Sequence, residues 1–508
     1  MKPKILFWLG KNFLIYGMIN KLQEQLDFEK YTIIDTPVNI NDFFDEQELI
    51  KFSKKWNYDE LVDIKKENFD IEYLKDFENR YGINLWNLVY TDRLFYQKYN
   101  KYYQFSHNQI ISLLEQECKL YEKILEESKP DIFLINIIVS HNALLLYHMC
   151  KKKNIPVLTL EPTHFKNRLE VKDEINLKID SKEYNSIKET KNRNKEELLE
   201  FLKDYKPHVY QKENSVSKVE KISAAAKFLV NRKDEVEKHY ANYGKSKSNI
   251  LTRGTATRHK IRKKKNEEFL EKNAIKEITD SEKFVYFPLT YEPERQILLG
   301  APFHSNQIAI IENIAKSVPI DHFLYVKEHP GMATAGWRDP DYYQQILELP
   351  NVKLIHPSIT NEEMIEKTSL VITVRGTPAL EAAFYGKPSI TFSQNSGYSE
   401  LPSVKTVSKM EELPEIISEW INIKVNYEDV NRYVNYIENT SFVFHDLDFI
   451  STLSKKFNYD VGYLNKSKIA PLEVKNLLMK HDGMFKNLTE KYLIKINSIL
   501  NKKNVHKE

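Results

Sequence analysis

Residues 370–392 read LVITVRGTPALEAAFYGKPSITF, an almost unbroken apolar run at one end and a second at the other. Between them lie a turn, Arg375-Gly376-Thr377, and a stretch with helical spacing that begins at Pro378. A continuous apolar run marks a parallel strand covered on both faces. Proline is best tolerated in the first helical turn, so Pro378 sets the helix start, with Thr377 as its N-cap. Strand, tight turn, helix and strand make half of a doubly wound sheet.

The same alternation extends from Lys283 to Val404. The strand KFVYFPL is followed by Tyr291-Glu292-Pro293-Glu294-Arg295, and the strand His322–Lys327 by Glu328-His329-Pro330. Helices are expected at 307–316, 342–347, 361–367 and 378–385, with further strands at 352–355 and 389–392. In an open parallel sheet the loops leaving the carboxyl ends of the strands gather along one crevice, where ligands bind. Three polar clusters distant in sequence are therefore expected at one site.

The start of the chain repeats the pattern. Lys4–Leu9 reads as a strand, Gly10-Lys11-Asn12 as a turn, Tyr16–Leu26 as a helix and Tyr31–Ile34 as a strand. Further on come an amphipathic helix (109–128), a buried strand (131–138), a helix (141–153) and a strand (155–160) running into Glu161-Pro162-Thr163-His164. The fold class expected is α/β, with two Rossmann-like domains facing a cleft, the GT-B layout. The expected boundaries are 1–171 and 283–423 for these domains, 172–282 for a helical insertion with a basic linker, and 424–508 for a helical extension packing back onto the first domain.

A chain of 508 residues exceeds one hydrophobic core. Its charged fraction of 29% and hydrophobic fraction of 41% describe a globular protein. A net charge of +3 excludes a surface built wholly for nucleic acid. Cys118 and Cys150 lack metal-ligand spacing and make no disulfide framework, which fits a reducing compartment. No secretory leader and no apolar run of about 18 residues is present, so the cytoplasm is the expected location. Thr252–Lys265, TRGTATRHKIRKKK, is the one basic block. It reads as a solvated linker, with contact to an anionic membrane surface as the sharper alternative and nucleic acid third.

The clusters suggest chemistry for a phosphorylated ligand. The backbone at Gly376-Thr377 and the basic side chains Arg375, Lys327 and His329 suit phosphate, while Pro330 holds His329 extended at the strand end. Glu381, one turn into its helix, is placed for ribose hydroxyls. Each has a plainer reading as a cap or a solvated loop residue. On the first domain, Glu161 and His164, with Arg168 beyond and His141 as a weaker candidate, are the groups available as a general base. The sequence has no clear Asp-x-Asp metal site, and no metal or cofactor is expected.

The segments FPLTYEPE, VKEHPG and NVKLIHPSITNEEMIEKTSLVITVRGTPALEAAFYGKPSITF together resemble the capsule polysaccharide biosynthesis protein family, Kdo-transferase-like glycosyltransferases of bacterial surface glycans. The resemblance covers about Phe284 to Val404. It implies a GT-B fold and a nucleotide-activated sugar donor, often a CMP-linked acidic sugar. Glu328, His329 and Pro330 match the family's Glu-His-Pro element, tied to nucleotide binding. Gly376, Thr377 and Glu381 match its Gly-Thr-x-x-x-Glu turn and helix, and Glu294 matches the carboxylate of its Pro-Glu element. The sequence departs at Arg375, where a small or apolar residue is the rule, and at Ser393, where glycine is common. The extra arginine suits a second phosphate, favouring a nucleoside diphosphate over CMP, or a sugar carboxylate. The expected activity is sugar transfer from a nucleotide donor to a surface polysaccharide or glycolipid, without metal. A UDP-sugar 2-epimerase, a polyol-phosphate transferase and a non-catalytic scaffold of capsule assembly remain as alternatives.

Overall fold

The computed structural model describes residues 2–36, 41–96, 98–100, 103–163, 165, 167–175, 179, 181–187, 191–203, 240, 250–292, 295–445, 447–457 and 469–505. The calls on His164, on Pro293 and Glu294, and on a helix at 217–240 lie outside these residues, apart from Tyr240.

Two sheets form, and both wind the same way. The first holds β1 (Lys4–Leu9), β2 (Glu29–Ile34), β3 (Lys54–Asn57), β4 (Ile132–Leu134), β5 (Val157–Pro162), β6 (Arg168–Lys172) and β13 (Phe442–Val443). Its order is β13-β6-β5-β4-β1-β2-β3, parallel from β3 to β5 and antiparallel beyond. The second holds β7 (Phe284–Pro288), β8 (Phe323–Lys327), β9 (Val352–Ile355), β10 (Leu370–Thr373), β11 (Ser389–Thr391) and β12 (Val404–Thr406), all parallel, in the order β12-β11-β10-β7-β8-β9. Taken in chain order, each sheet runs 3-2-1-4-5, the doubly wound arrangement. Ile5, Leu6, Phe7, Val285, Tyr286 and Phe287 are fully buried, as strands covered by helices on both faces require.

The extension returns to the first domain, as its sequence suggests. The helix Tyr427–Thr440 leads into β13, which pairs with β6. The helix Asp482–Val505 then lies on the helix Leu14–Leu22. Phe449, Leu453, Phe485, Leu488, Tyr492 and Ile496 join the core under β1 and β4. Gly17 makes this possible: a Cβ there would sit 2.3 Å from the Phe485 ring.

The basic block departs from expectation. It is a helix, Ile250–Asn273, rather than a linker. Its far half packs on the second domain through Leu270 and Ala274 in that core, stacking of Phe269 on Tyr343, and an Arg262–Asp339 ion pair. A charge run forms a helix here because its last turns carry buried side chains. Among the described residues no helix is long and apolar enough to cross a membrane.

Candidate functional site

β7 lies between β10 and β8, with Leu370 opposite Val285 and Pro288 opposite Lys327. The loops after β7, β8 and β10 therefore leave adjacent strands at one edge. Strand order reverses between β7 and β10, which is where open α/β sheets bind ligands.

Two layers of side chains stand at this edge. Lys327, Glu328, Arg375 and Glu381 are buried, whereas His329, Pro330, Gly376 and Thr377 are half-buried. Within the inner layer, Lys327 Nζ donates to Asn361 Oδ1 at 2.6 Å, and Tyr286 Oη donates to the same oxygen at 2.9 Å. Thr377 Oγ1 donates to Glu381 Oε1 at 2.9 Å. Burial lowers the Lys327 ammonium to about 8, against the pull of Glu381 and Glu328. Burial raises the Glu381 carboxyl, against Thr377, Lys327 and Asn361. A buried lysine and glutamate pushed toward each other's protonation range, at a sheet's switch point, mark a candidate site on physical grounds.

Glu328 is a strut. Its oxygens accept from Arg338 Nη1, from Tyr343 Oη at 2.7 Å and from the His329 amide at 2.6 Å. Arg338 Nη2 in turn donates to the Thr290 carbonyl at 2.6 Å, tying the loops after β7 and β8 together. His329 is fixed by this backbone bond, by the Gly331 amide donating to its Nδ1 at 3.1 Å, and by Tyr291, whose ring stands edge-on at 5.7 Å. Glu292 accepts from Gln307 Nε2 at 2.6 Å and from Lys98 Nζ of the first domain at 2.6 Å.

Two sequence expectations change. Thr377 is not a side-chain cap: its φ of −58° and ψ of −24° are already helical, whereas an N-cap needs extended backbone. The amides of Gly376, Ala379, Leu380 and Glu381 already donate to Thr373 Oγ1 or to the carbonyls of Gly376 and Thr377. Arg375 turns away from the helix start. Nη2 donates to the Asn395 carbonyl at 3.1 Å, and the guanidinium lies where a Cβ on Gly300 would be, 1.5 Å from Nη1.

The first domain is arranged differently from what its sequence suggests. β5 continues through Glu161, which pairs with Glu170 in an antiparallel hairpin and is buried. Beside it is a cavity of about 20 Å³ shared with Tyr398 and Tyr433, room for little more than one water. The ladder to β6 carries the strand past Leu160, where the sequence reading ended it, to Pro162. Arg168 is held by Ser441 and by the Glu438 and Ser441 carbonyls. His141 is fully buried between Asp92 Oδ2 at 2.9 Å and Glu117 Oε1 at 3.1 Å, with Tyr58 and Tyr240 bonded to the two carboxylates. Burial disfavours its charge, but Glu117 and Asp92 outweigh that and raise it to about 10.

Sequence reasoning missed Asn361, Arg338 and Lys98. Asn361 opens a helix after Thr360, a position that reads as an ordinary helix start. Arg338 and Lys98 sit in loops whose partners, Glu328 and Glu292, lie in other elements.

Residues 193–398 match the family described as capsule polysaccharide biosynthesis protein, which bears out the resemblance read from residues 284–404. Comparison with curated proteins finds no match. Among solved structures, the KpsC beta Kdo 2,7 transferase of Thermosulfurimonas dismutans is similar at 12% identity, over 62% of this chain and 79% of that one, with a TM-score of 0.29. The UDP-GlcNAc 2-epimerase of Methanocaldococcus jannaschii is similar at 13% identity, over 86% of this chain and 100% of that one, with a TM-score of 0.24. The UDP-GlcNAc 2-epimerase of Neisseria meningitidis bound to UDP-GlcNAc is similar at 15% identity, over 91% and 99%, with a TM-score of 0.25.

Proposed function

We propose that this chain is a glycosyltransferase of capsule polysaccharide synthesis, moving a sugar from a nucleotide-activated donor to a growing surface glycan. The observation that carries the reading is the edge of the second sheet. The loops after β8 and β10, on either side of β7, present His329, Gly376 and Thr377 beside the buried Lys327–Asn361–Glu381 group. The family match over residues 193–398 supports the same reading.

His329 donates to a donor phosphate oxygen, and the positive charge of Lys327 behind it offsets the charge that builds on the leaving phosphate. Glu381 takes the ribose hydroxyls, in the position where Thr377 Oγ1 now donates. Glu328 and Pro330 hold His329 in place, and Gly376 keeps the approach open. Arg375, drawn toward Gly300 and Asn395, contributes charge from the side and suits a second phosphate or a sugar carboxylate. These side chains supply the offsetting charge without a metal, and the acceptor approaches from the first domain. Donors with CMP-linked acidic sugars remain the first to try.

The test is incubation of the purified chain with CMP- and UDP-linked sugars and a capsular oligosaccharide. Free nucleotide together with an acceptor one residue longer is the expected result. An epimerised nucleotide sugar released with no change in the acceptor would overturn it.

A further inference from the structure

A second cavity, of about 600 Å³, opens at the seam between the domains. That volume is in the usual range for a small-molecule site, roughly 300–1,000 Å³. Tyr96 and Tyr99 of the first domain and Tyr342 of the second stand on its walls. Tyr96 and Tyr99 are half-buried and tilted against one another with centroids 5.6 Å apart. Asn306 and Gln345, both exposed, supply amide donors and acceptors beside them. Aromatic faces next to amides suit a sugar ring, whose C–H face packs on a ring while its hydroxyls bond the amides.

One further feature narrows the ligand. Lys98 is the cation on this wall, and Glu292 already holds it, while Glu312 adds a carboxylate. A sugar acid entering here meets a negative group and a cation already paired.

We propose that this cavity binds a neutral sugar unit, a hexose or N-acetylhexosamine, of the acceptor glycan. The assignment to the acceptor rests on the transferase reading; the saccharide site itself does not. Lys98 and Tyr99 also contact Glu292 in the loop after β7, which links the cavity to the donor edge.

Saturation-transfer NMR on the full chain, with maltotriose, chitotriose and trigalacturonate as probes, tests the site. A neutral trisaccharide should bind, at least tenfold more tightly than trigalacturonate. Tyr96→Ala should weaken that binding tenfold or more. Tyr342→Ala, which removes a second ring from the wall, should weaken it several-fold. Stabilisation by CMP or UDP, followed by thermal shift, should be unchanged in Tyr96→Ala. Failure of both neutral probes to bind, neutral binding unaffected by either substitution, or preference for trigalacturonate would each overturn the proposal. Absence of nucleotide binding in the unaltered chain would instead count against the transferase reading and leave the saccharide site standing.

Discussion

The two sheets share a strand order and use its crest in opposite ways. In the first domain the position after β4 is His141, sealed between Asp92 and Glu117 and covered by Tyr58 and Tyr240. In the second, the matching position after β10 is Gly376-Thr377, half-buried, with its charged residues one layer down. A paired cluster of buried charges makes a rigid, closed crest, whereas small residues over a polar layer make an open one. The same topology therefore builds one closed crest and one open crest, and the open one is the proposed ligand site.

The largest effect should come from breaking the closed crest. His141→Leu leaves Asp92 and Glu117 as buried charges without their cation and should cost about 3–5 kcal/mol in urea unfolding. If the loss is under about 1 kcal/mol, the cluster is not what holds that crest. At the open crest, His329→Ala should lower the transfer rate on the order of a hundredfold. It should change unfolding stability little, since His329 is half-buried. An equal loss of stability at the two histidines would erase the contrast.

Smaller effects sharpen it. Gly17→Ala drives a methyl into the Phe485 ring and should cost about 1–3 kcal/mol, seen as a lower denaturation midpoint with unchanged nucleotide binding. The closed crest should also titrate. His141 is raised from 6.5 to about 10, so its contribution to stability is complete below pH 6.5 and is lost as pH rises through about 10. Asp92, lowered from 3.8 by His141 despite its burial, contributes above that value and loses its part in acid. Unfolding free energy measured against pH should fall on the alkaline side, and His141→Leu should flatten that limb.

Much of this was legible in the sequence, and for identifiable reasons. Apolar runs such as 370–373 and 132–134 suit strands covered on both faces, so these strands followed from pattern. The Glu-His-Pro and Gly-Thr turns mark strand ends, so their convergence at one edge was expected, and the sheet order provides it. What pattern does not carry is where a side chain turns. Arg375 bends toward Gly300 because a glycine opposite leaves room, and Glu161 stays in β5 because β6 comes back to pair with it. Asn361 and Arg338 act through partners in other elements, which spacing along the chain does not encode. The basic helix at 250–273 reads as a linker because its charges dominate, while Leu270 and Ala274 anchor it.

The central claim is that the edge of the second sheet, and not that of the first, binds a nucleotide. Isothermal titration of CMP and UDP into the unaltered chain, His329→Ala and His141→Gln tests it most directly. One nucleotide should bind the unaltered chain with single-site stoichiometry, bind folded His141→Gln equally well, and bind His329→Ala at least tenfold more weakly. Undiminished binding to His329→Ala, or no binding of either nucleotide to the unaltered chain, would contradict it.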